Sequence, residues 1–331
     1  MKAALAMQPD LQYRLFDDRL ARELERLVDI DLTRTVSDYS SESDEVLADI
    51  EVLVTGWFAP AVDGRVLDRM PRLRAILHAG GSVKGMTTPE VWDRGILVTT
   101  AADANAVPVA EYALAMVLLA GKKVLPIAQE YARRQSSIDL ENEYPQIGAY
   151  RSTVGIIGAS RTGRHLIRLL GPFSYRVLVS DPYLSHDEAA VLGVEKVELD
   201  ELLTRSRVVS LHAPDLPSTR GLLGRREFAL LGDGATFINT ARQALVDQDA
   251  LLGELRSGRL DAVLDVTDPE PLNEDHPFFA FPNVLVTPHI AGSRGTELLL
   301  LGEAVLEEAR RLRDGLPPAF PVAAESLATI A

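Results

Sequence analysis

The first hundred residues alternate short apolar runs with amphipathic stretches. Runs at 2–7, 28–32, 51–55, 74–78 and 96–99 are dominated by aliphatic residues and bounded by polar or turn-forming ones, which predicts strands. Stretches at 20–27, 63–70 and 89–93 predict helical links between them. Such alternation implies parallel strands, because a parallel pair needs a crossover and a helix supplies it. An apolar helix is expected next over 107–119, opened by Asn105 as its cap, with Pro108 tolerated in the first turn. Residues 122–150 are polar and irregular and read as a loop or arm.

From Thr153 the pattern restarts. Strands are expected at 153–158, 176–180, 208–211, 235–239, 260–264 and 284–286, with helices at 162–170, near 187–192 and at 297–313. The fold class is therefore α/β in two domains, which a length of 331 residues suits better than one core. Crossings are expected near 101–104 and 291–296. Residues 1–104 and 295–331 would form the first domain, and 105–294 a second domain inserted in it.

Composition narrows the functional classes. Hydrophobic residues at 47% and charged residues at 25% are the proportions of a soluble globular protein. A net charge of −14 argues against a nucleic-acid partner, yet a few local arginines can still make a cleft attractive to an acid. The absence of cysteine excludes disulfides, a thiol nucleophile and a cysteine-ligated metal. Residues 1–7 read as a strand rather than a signal peptide. The apolar stretch 107–121 contains Glu111 and falls short of the roughly 20 residues that span a bilayer. A cytoplasmic protein with no membrane partner is expected. No His and carboxylate spacing suggests a metal.

The segment Gly158-Ala159-Ser160-Arg161-Thr162-Gly163 joins a predicted strand to a predicted helix, and Asp181 ends the next strand. This is the layout of a dinucleotide site, with the helix N-terminus facing a pyrophosphate. Gly158 permits the tight turn and Gly163 a close approach of helix and strand. Asp181 suits the ribose hydroxyls of NAD and would repel the 2′-phosphate of NADP. Ser160 stands where the fingerprint has its middle glycine. A plain strand–turn–helix without ligand, and a methyltransferase site for S-adenosylmethionine, stay open on this segment alone.

Three further segments, 238–247, 264–271 and 287–292, follow predicted strands of the same sheet. C-terminal ends of parallel strands face one crevice, so Arg242, Glu270 and His289 are candidates to meet there. An arginine binds a carboxylate and polarises a carbonyl, a histidine exchanges the hydroxyl proton, and a glutamate orients that histidine and favours its charged form. Each residue alone has a plain alternative: a surface arginine, a loop glutamate, a turn histidine.

These blocks resemble the D-2-hydroxyacid dehydrogenase family, the D-isomer-specific group that includes phosphoglycerate, formate and D-lactate dehydrogenases and glyoxylate reductases. The resemblance rests on Arg94-Gly95-Ile96-Leu97-Val98-Thr99, Asn105 through Glu111, Val209-Ser210-Leu211-His212-Ala213-Pro214, Asn239-Thr240-Ala241-Arg242, Leu264-Asp265-Val266 and Thr287-Pro288-His289-Ile290-Ala291-Gly292. It implies a flavodoxin-like substrate domain carrying an inserted Rossmann-type domain. It also implies NAD as cofactor, a small 2-hydroxy or 2-oxo acid as substrate, and a homodimer paired through the arm at 122–150.

By the same resemblance Arg242, Glu270 and His289 are catalytic. Gly80, Gly81 and Ser82 would offer backbone N–H groups to the substrate carboxylate beside Arg242. NAD would lie against Gly158, Ser160, Arg161, Thr162 and Gly163, with Asp181 on the adenosine ribose. His212, Pro214, Thr240, Ala241 and Gly292 would complete that surface, and Asp265 would touch the nicotinamide carboxamide.

The chain departs from the pattern at three places: Ser160, Gln243 where relatives carry glycine, and Lys84 where many carry an acid. With 42 residues after His289, the regulatory C-terminal domain of some phosphoglycerate dehydrogenases is expected to be missing. His78 is a candidate ligand contact or a satisfied turn histidine, while His165, His186 and His276 need no role. A non-catalytic NAD-binding scaffold, as in co-repressor relatives, is the alternative function.

Overall fold

The computed structural model describes residues 1–328. They divide into two compact units, residues 1–106 with 293 onward, and residues 107–292. Unit 1 opens with β1 (Lys2–Ala6), α1 (Gln12–Leu15), α2 (Asp18–Leu27), β2 (Asp29–Thr35), α3 (Asp44–Ala48), β3 (Val52–Thr55), α4 (Gly64–Arg69), β4 (Ala75–His78), α5 (Pro89–Asp93) and β5 (Leu97–Thr100). Its strands form one parallel sheet in the order β2-β1-β3-β4-β5. Every residue of β3 and β4 is buried, as strands covered on both faces must be.

The chain then enters unit 2 through α6 (Ala102–Gly121), followed by α7 (Val124–Arg134), α8 (Leu140–Glu143), β6 (Thr153–Ile157), α9 (Arg161–Leu170), β7 (Arg176–Ser180), α10 (His186–Leu192) and β8 (Glu195–Lys196). It continues with α11 (Leu199–Arg205), β9 (Val208–Leu211), α12 (Arg225–Leu230), β10 (Thr236–Asn239), α13 (Gln248–Arg256), β11 (Asp261–Leu264) and β12 (Val284–Val286). The sheet is parallel throughout, in the order β12-β11-β10-β9-β6-β7-β8. Strand order reverses between β6 and β9, and a doubly wound sheet binds its ligand outside the strand ends at such a reversal.

α14 (Leu298–Arg313) returns to unit 1. Its Leu298, Leu301, Val305 and Leu306 share one core with Leu5, Leu15, Leu20 and Leu24. The approach is close at Gly302, where a Cβ would lie 1.9 Å from the Leu15 carbonyl oxygen. Glu308 is buried on the same helix, and burial raises its pKa. Its Oε1 accepts the N–H groups of Ala319 (2.9 Å) and Phe320 (2.6 Å), holding the tail that pairs with β5.

Three expectations change. α6 begins at Ala102, because Ala101 N–H bonds the carbonyls of His78 and Gly80 and Ala101 O accepts the N–H of Asn105. Asn105 is thus inside the helix rather than its cap, Pro108 is interior, and the Asn105 side-chain oxygen accepts Ser293 N–H at 3.0 Å. At twenty residues α6 is long and apolar enough to cross a membrane, where a shortfall was expected; here its Ala110, Ala113 and Val117 pack in the core of unit 2. The arm is largely helical. No residue of α7 is buried, although Val124, Ile127, Ala128 and Tyr131 recur at helical spacing, and Glu130 pairs with Arg133 while Arg134 pairs with Glu143.

Candidate active site

Within unit 2 the site grows from the turn after β6. Gly158 takes φ +96°, and a Cβ there would lie 2.6 Å from the backbone nitrogen of Ala213. Gly163 lets α9 close on that turn, for its Cβ would fall 2.1 Å from the Gly158 carbonyl oxygen. Ser160 is the N-cap of α9, its Oγ accepting Gly163 N–H at 3.3 Å. The off-pattern residue therefore performs a local structural task that serine does well and glycine cannot. Arg161 and Thr162 occupy the first turn of α9.

Asp181 follows β7 directly. Its Oδ2 accepts Ala159 N–H at 2.7 Å, and its Oδ1 accepts the N–H groups of Tyr183 (2.7 Å) and Leu184 (3.2 Å). The carboxylate thus ties the glycine turn to the end of β7. His212 lies behind the turn with its ring buried and Nε2 2.8 Å from Ser210 Oγ. Burial lowers its pKa to about 4, so the imidazole is a neutral packing group. Two residues on, Pro214 is half-buried.

After β10, Asn239 shapes the next turn: its side chain accepts Ala241 N–H at 3.0 Å and donates to Arg242 O at 3.3 Å. Arg242 sits at the tip, with Nη1 2.6 Å from the Ala241 carbonyl. Gln243 opens a 3-10 turn and is absent from the positive-φ residues, so this backbone makes no demand for glycine. Thr240 Oγ1 is buried without a hydrogen-bond partner, an orphan that a bound polar group would satisfy.

After β12, His289 adopts φ +54°, unusual for a side-chain-bearing residue. Its Nδ1 lies 2.6 Å from Glu270 Oε1, and both side chains keep solvent access. Asp265, 2% exposed, holds this segment through both carboxylate oxygens. Oδ1 accepts the Thr287 hydroxyl (2.6 Å) and Ile290 N–H (2.8 Å), and Oδ2 accepts Ala291 N–H (2.9 Å). The residue expected at the carboxamide is thus also the anchor of the histidine loop. Gly292 ends the unit.

In unit 1, His78 ends β4 beneath the Gly80–Ser82 loop. Its ring is buried, Nδ1 lies 2.9 Å from Thr55 Oγ1, and a Cβ on Gly80 would meet Nε2 at 2.4 Å. It is the satisfied histidine of the two readings, a support for the loop. Burial lowers its pKa to about 4. Sequence reading missed the neighbouring strand end, where Phe58 is 83% exposed at φ +59° and Arg294 lies 5.3 Å over the Trp57 ring. The adjacent aromatic pair after β3 was the available signal. No cluster of three metal-ligating side chains occurs among the described residues.

The two buried histidines set a pH dependence. Both are neutral in the fold and charge more readily unfolded, so the unfolded chain binds more protons between about pH 6.5 and 4. Stability is full above that window and falls as pH drops through it, by on the order of 1.4 kcal/mol per pH unit for each histidine. Melting temperatures from pH 7.5 to 4.5 test this: His212→Asn should flatten the decline, and an unchanged slope in the variant would contradict it.

Comparison with known proteins bears on this geometry. Residues 114–291, more than half of the chain, match the family model for the D-isomer specific 2-hydroxyacid dehydrogenase, NAD binding domain. The chain is 32% identical over 257 residues to the D-3-phosphoglycerate dehydrogenase of Archaeoglobus fulgidus, covering 77% of this chain and 48% of that protein. It therefore spans about half the length of the curated relatives it matches. A solved protein from Thermus thermophilus is 30% identical with a TM-score of 0.74, over 98% of this chain and all of that one. A phosphoglycerate oxidoreductase from Rhizobium etli is 26% identical with a TM-score of 0.84, over 98% of this chain and 99% of that one. The family match takes in every strand of the seven-stranded sheet, and the chain belongs to the D-isomer specific 2-hydroxyacid dehydrogenase family.

Proposed function

We propose that this chain is a cytoplasmic, NAD(H)-dependent oxidoreductase acting at C2 of a small 2-hydroxy or 2-oxo acid. The observation that carries the reading is His289 Nδ1 at 2.6 Å from Glu270 Oε1, in the sheet that carries the dinucleotide turn. The residues present fit the cofactor: Gly158 and Gly163 let the turn and α9 close where any Cβ would meet backbone, and the orphaned Thr240 Oγ1 asks for a polar partner. Gly158, Ser160, Arg161, Thr162, Gly163 and Asp181 would hold its adenosine side, and Thr240, Ala241, Asp265 and Gly292 its other end. When bound, the nicotinamide supplies or accepts the hydride.

The chain's own residues do the rest. Arg242 pairs with the substrate carboxylate and draws electron density toward the C2 oxygen. In reduction, that oxygen becomes an alkoxide and takes a proton from His289 Nε2, the ring nitrogen not bonded to Glu270. Glu270 fixes the ring and offsets its positive charge; in oxidation the same nitrogen receives the hydroxyl proton. The N–H groups of Gly80, Gly81 and Ser82, which the family resemblance gives as carboxylate partners, belong to unit 1. The test is NADH oxidation against a panel of 2-oxo acids. Turnover with at least one supports the reading; NADH binding without any turnover would identify a scaffold instead.

Asp181 supports NAD over NADP, because its charge would face the 2′-phosphate. Direct titration should show NADH binding at least about tenfold tighter than NADPH. Asp181→Asn should narrow that gap while keeping an acceptor for Ala159 N–H. Equal affinities in the wild type would defeat the assignment.

The arm supports a homodimer: Tyr131 and Tyr150 are strongly exposed, and α7 buries none of its side chains. Light scattering at micromolar concentration should give twice the chain mass. A monomer there would rule it out.

A further inference from the structure

Tyr112 on α6 reaches the histidine loop through a chain of side-chain hydrogen bonds. Its hydroxyl lies 2.8 Å from Thr287 Oγ1, which lies 2.6 Å from Asp265 Oδ1. An ionised carboxylate only accepts, so the single Thr287 hydroxyl proton points to Asp265. Thr287 Oγ1 is then left to accept, and the Tyr112 proton points to it. The order is Tyr112 to Thr287 to Asp265, each hydroxyl polarising the next.

What this chain holds is a loop that does not hold itself. His289 sits in the left-handed region, a strained state for a residue with a Cβ, and such states persist where surroundings impose them. Its own N–H bonds Asp265 O at 3.0 Å, and the two residues after it bond the Asp265 carboxylate. Asp265 therefore fixes the backbone on which the imidazole is mounted, while Glu270 fixes the ring. Tyr112 is half-buried, and burial is the main cause of its raised pKa, so its hydroxyl stays protonated and able to donate.

We infer that Tyr112 is a positioning residue for His289, acting through Thr287 and Asp265. The inference rests on His289 as the acid/base and adds what holds it in place. It requires the tyrosine hydroxyl, not merely its ring, which also packs in the core of unit 2.

The experiment compares Tyr112→Phe, Thr287→Val, Thr287→Ser and the double variant Tyr112→Phe/Thr287→Val with the wild type, using the intact chain. Tyr112→Phe should lower kcat about threefold to tenfold and leave the KM for NADH within about twofold. Thr287→Val should lower kcat at least as much, and Thr287→Ser, which keeps the hydroxyl, should restore it. The double variant should be no worse than Thr287→Val alone, because both changes break one chain. A lower melting temperature with unchanged kcat, or additive losses in the double variant, would overturn the inference. His289→Ala assayed alongside separates the two claims. If it keeps turnover, the reading of the site fails; if it loses turnover while Tyr112→Phe matches wild type, only the role of Tyr112 fails.

Discussion

His289→Ala is expected to lower turnover by roughly 10²–10⁴-fold with little change in NADH affinity. The size follows from the task. Hydride arrival at C2 places full negative charge on oxygen, and a positioned acid removes most of that cost. Alanine leaves only water to protonate the alkoxide, and leaves the Glu270 carboxylate facing the space. NADH affinity should be spared, because the dinucleotide turn and Asp181 lie on β6 and β7, remote in the sheet from β12, which precedes His289. Histidine is commoner than alanine at positive φ, so His289→Asn, whose residue also favours φ +54°, is the companion variant that removes the imidazole without that backbone cost. Steady-state kinetics with NADH titration separates the two quantities. Near-normal turnover would remove His289 from the chemistry.

The second large effect is expected from the smallest change. Gly163→Ala places a Cβ 2.1 Å from the Gly158 carbonyl oxygen, well inside any tolerable contact, and the atom it meets is backbone. The turn and α9 must separate by about 1 Å, a strain of overpacked interiors worth roughly 1–3 kcal/mol. For a unit the size of Val107–Gly292 that lowers its melting temperature by roughly 2–12 °C. The same separation moves the helix N-terminus from its position against a pyrophosphate, so NADH should bind about tenfold more weakly or worse. Gly253→Ala is the control: on α13 a Cβ there meets nothing within 4 Å, and alanine is the better helix former. Thermal melts and NADH titration of both variants decide it, and a Gly163→Ala protein that binds NADH normally would refute the argument.

Both effects concern residues that the sequence alone marked out, since their chemistry is local. Glycine at 158 and 163, an acid after the next strand, and a histidine after Thr-Pro are readable without coordinates. So were strands such as β7, β9 and β12, whose apolar runs end where turn residues begin. What was not legible depended on partners distant in the chain. α6 starts early because Ala101 is fixed by carbonyls at 78 and 80, which no local pattern reveals. α7 was missed although Val124, Ile127, Ala128 and Tyr131 recur at helical spacing, because Pro126 and the polar residues around the segment read as loop, and β8 because two residues make no periodicity. Ser160 was judged against a fingerprint glycine when its capping role, three residues before Gly163, was the simpler signal. The double duty of Asp265 needed the 287–291 loop in place before it could be seen.

The division of the chain also sets a timetable for synthesis. Unit 2 is one uninterrupted run, whereas unit 1 is completed only by α14. The first 106 residues emerge from the ribosome with Leu5, Leu15, Leu20 and Leu24 lacking the helix that will share their core. At cellular elongation rates the intervening 186 residues take roughly 10–40 s. α14 follows unit 2 in the chain, so the third of the protein made first cannot close its core until the whole of unit 2 has been made. Until α14 arrives, its uncovered leucines are the surface on which a nascent-chain chaperone would sit.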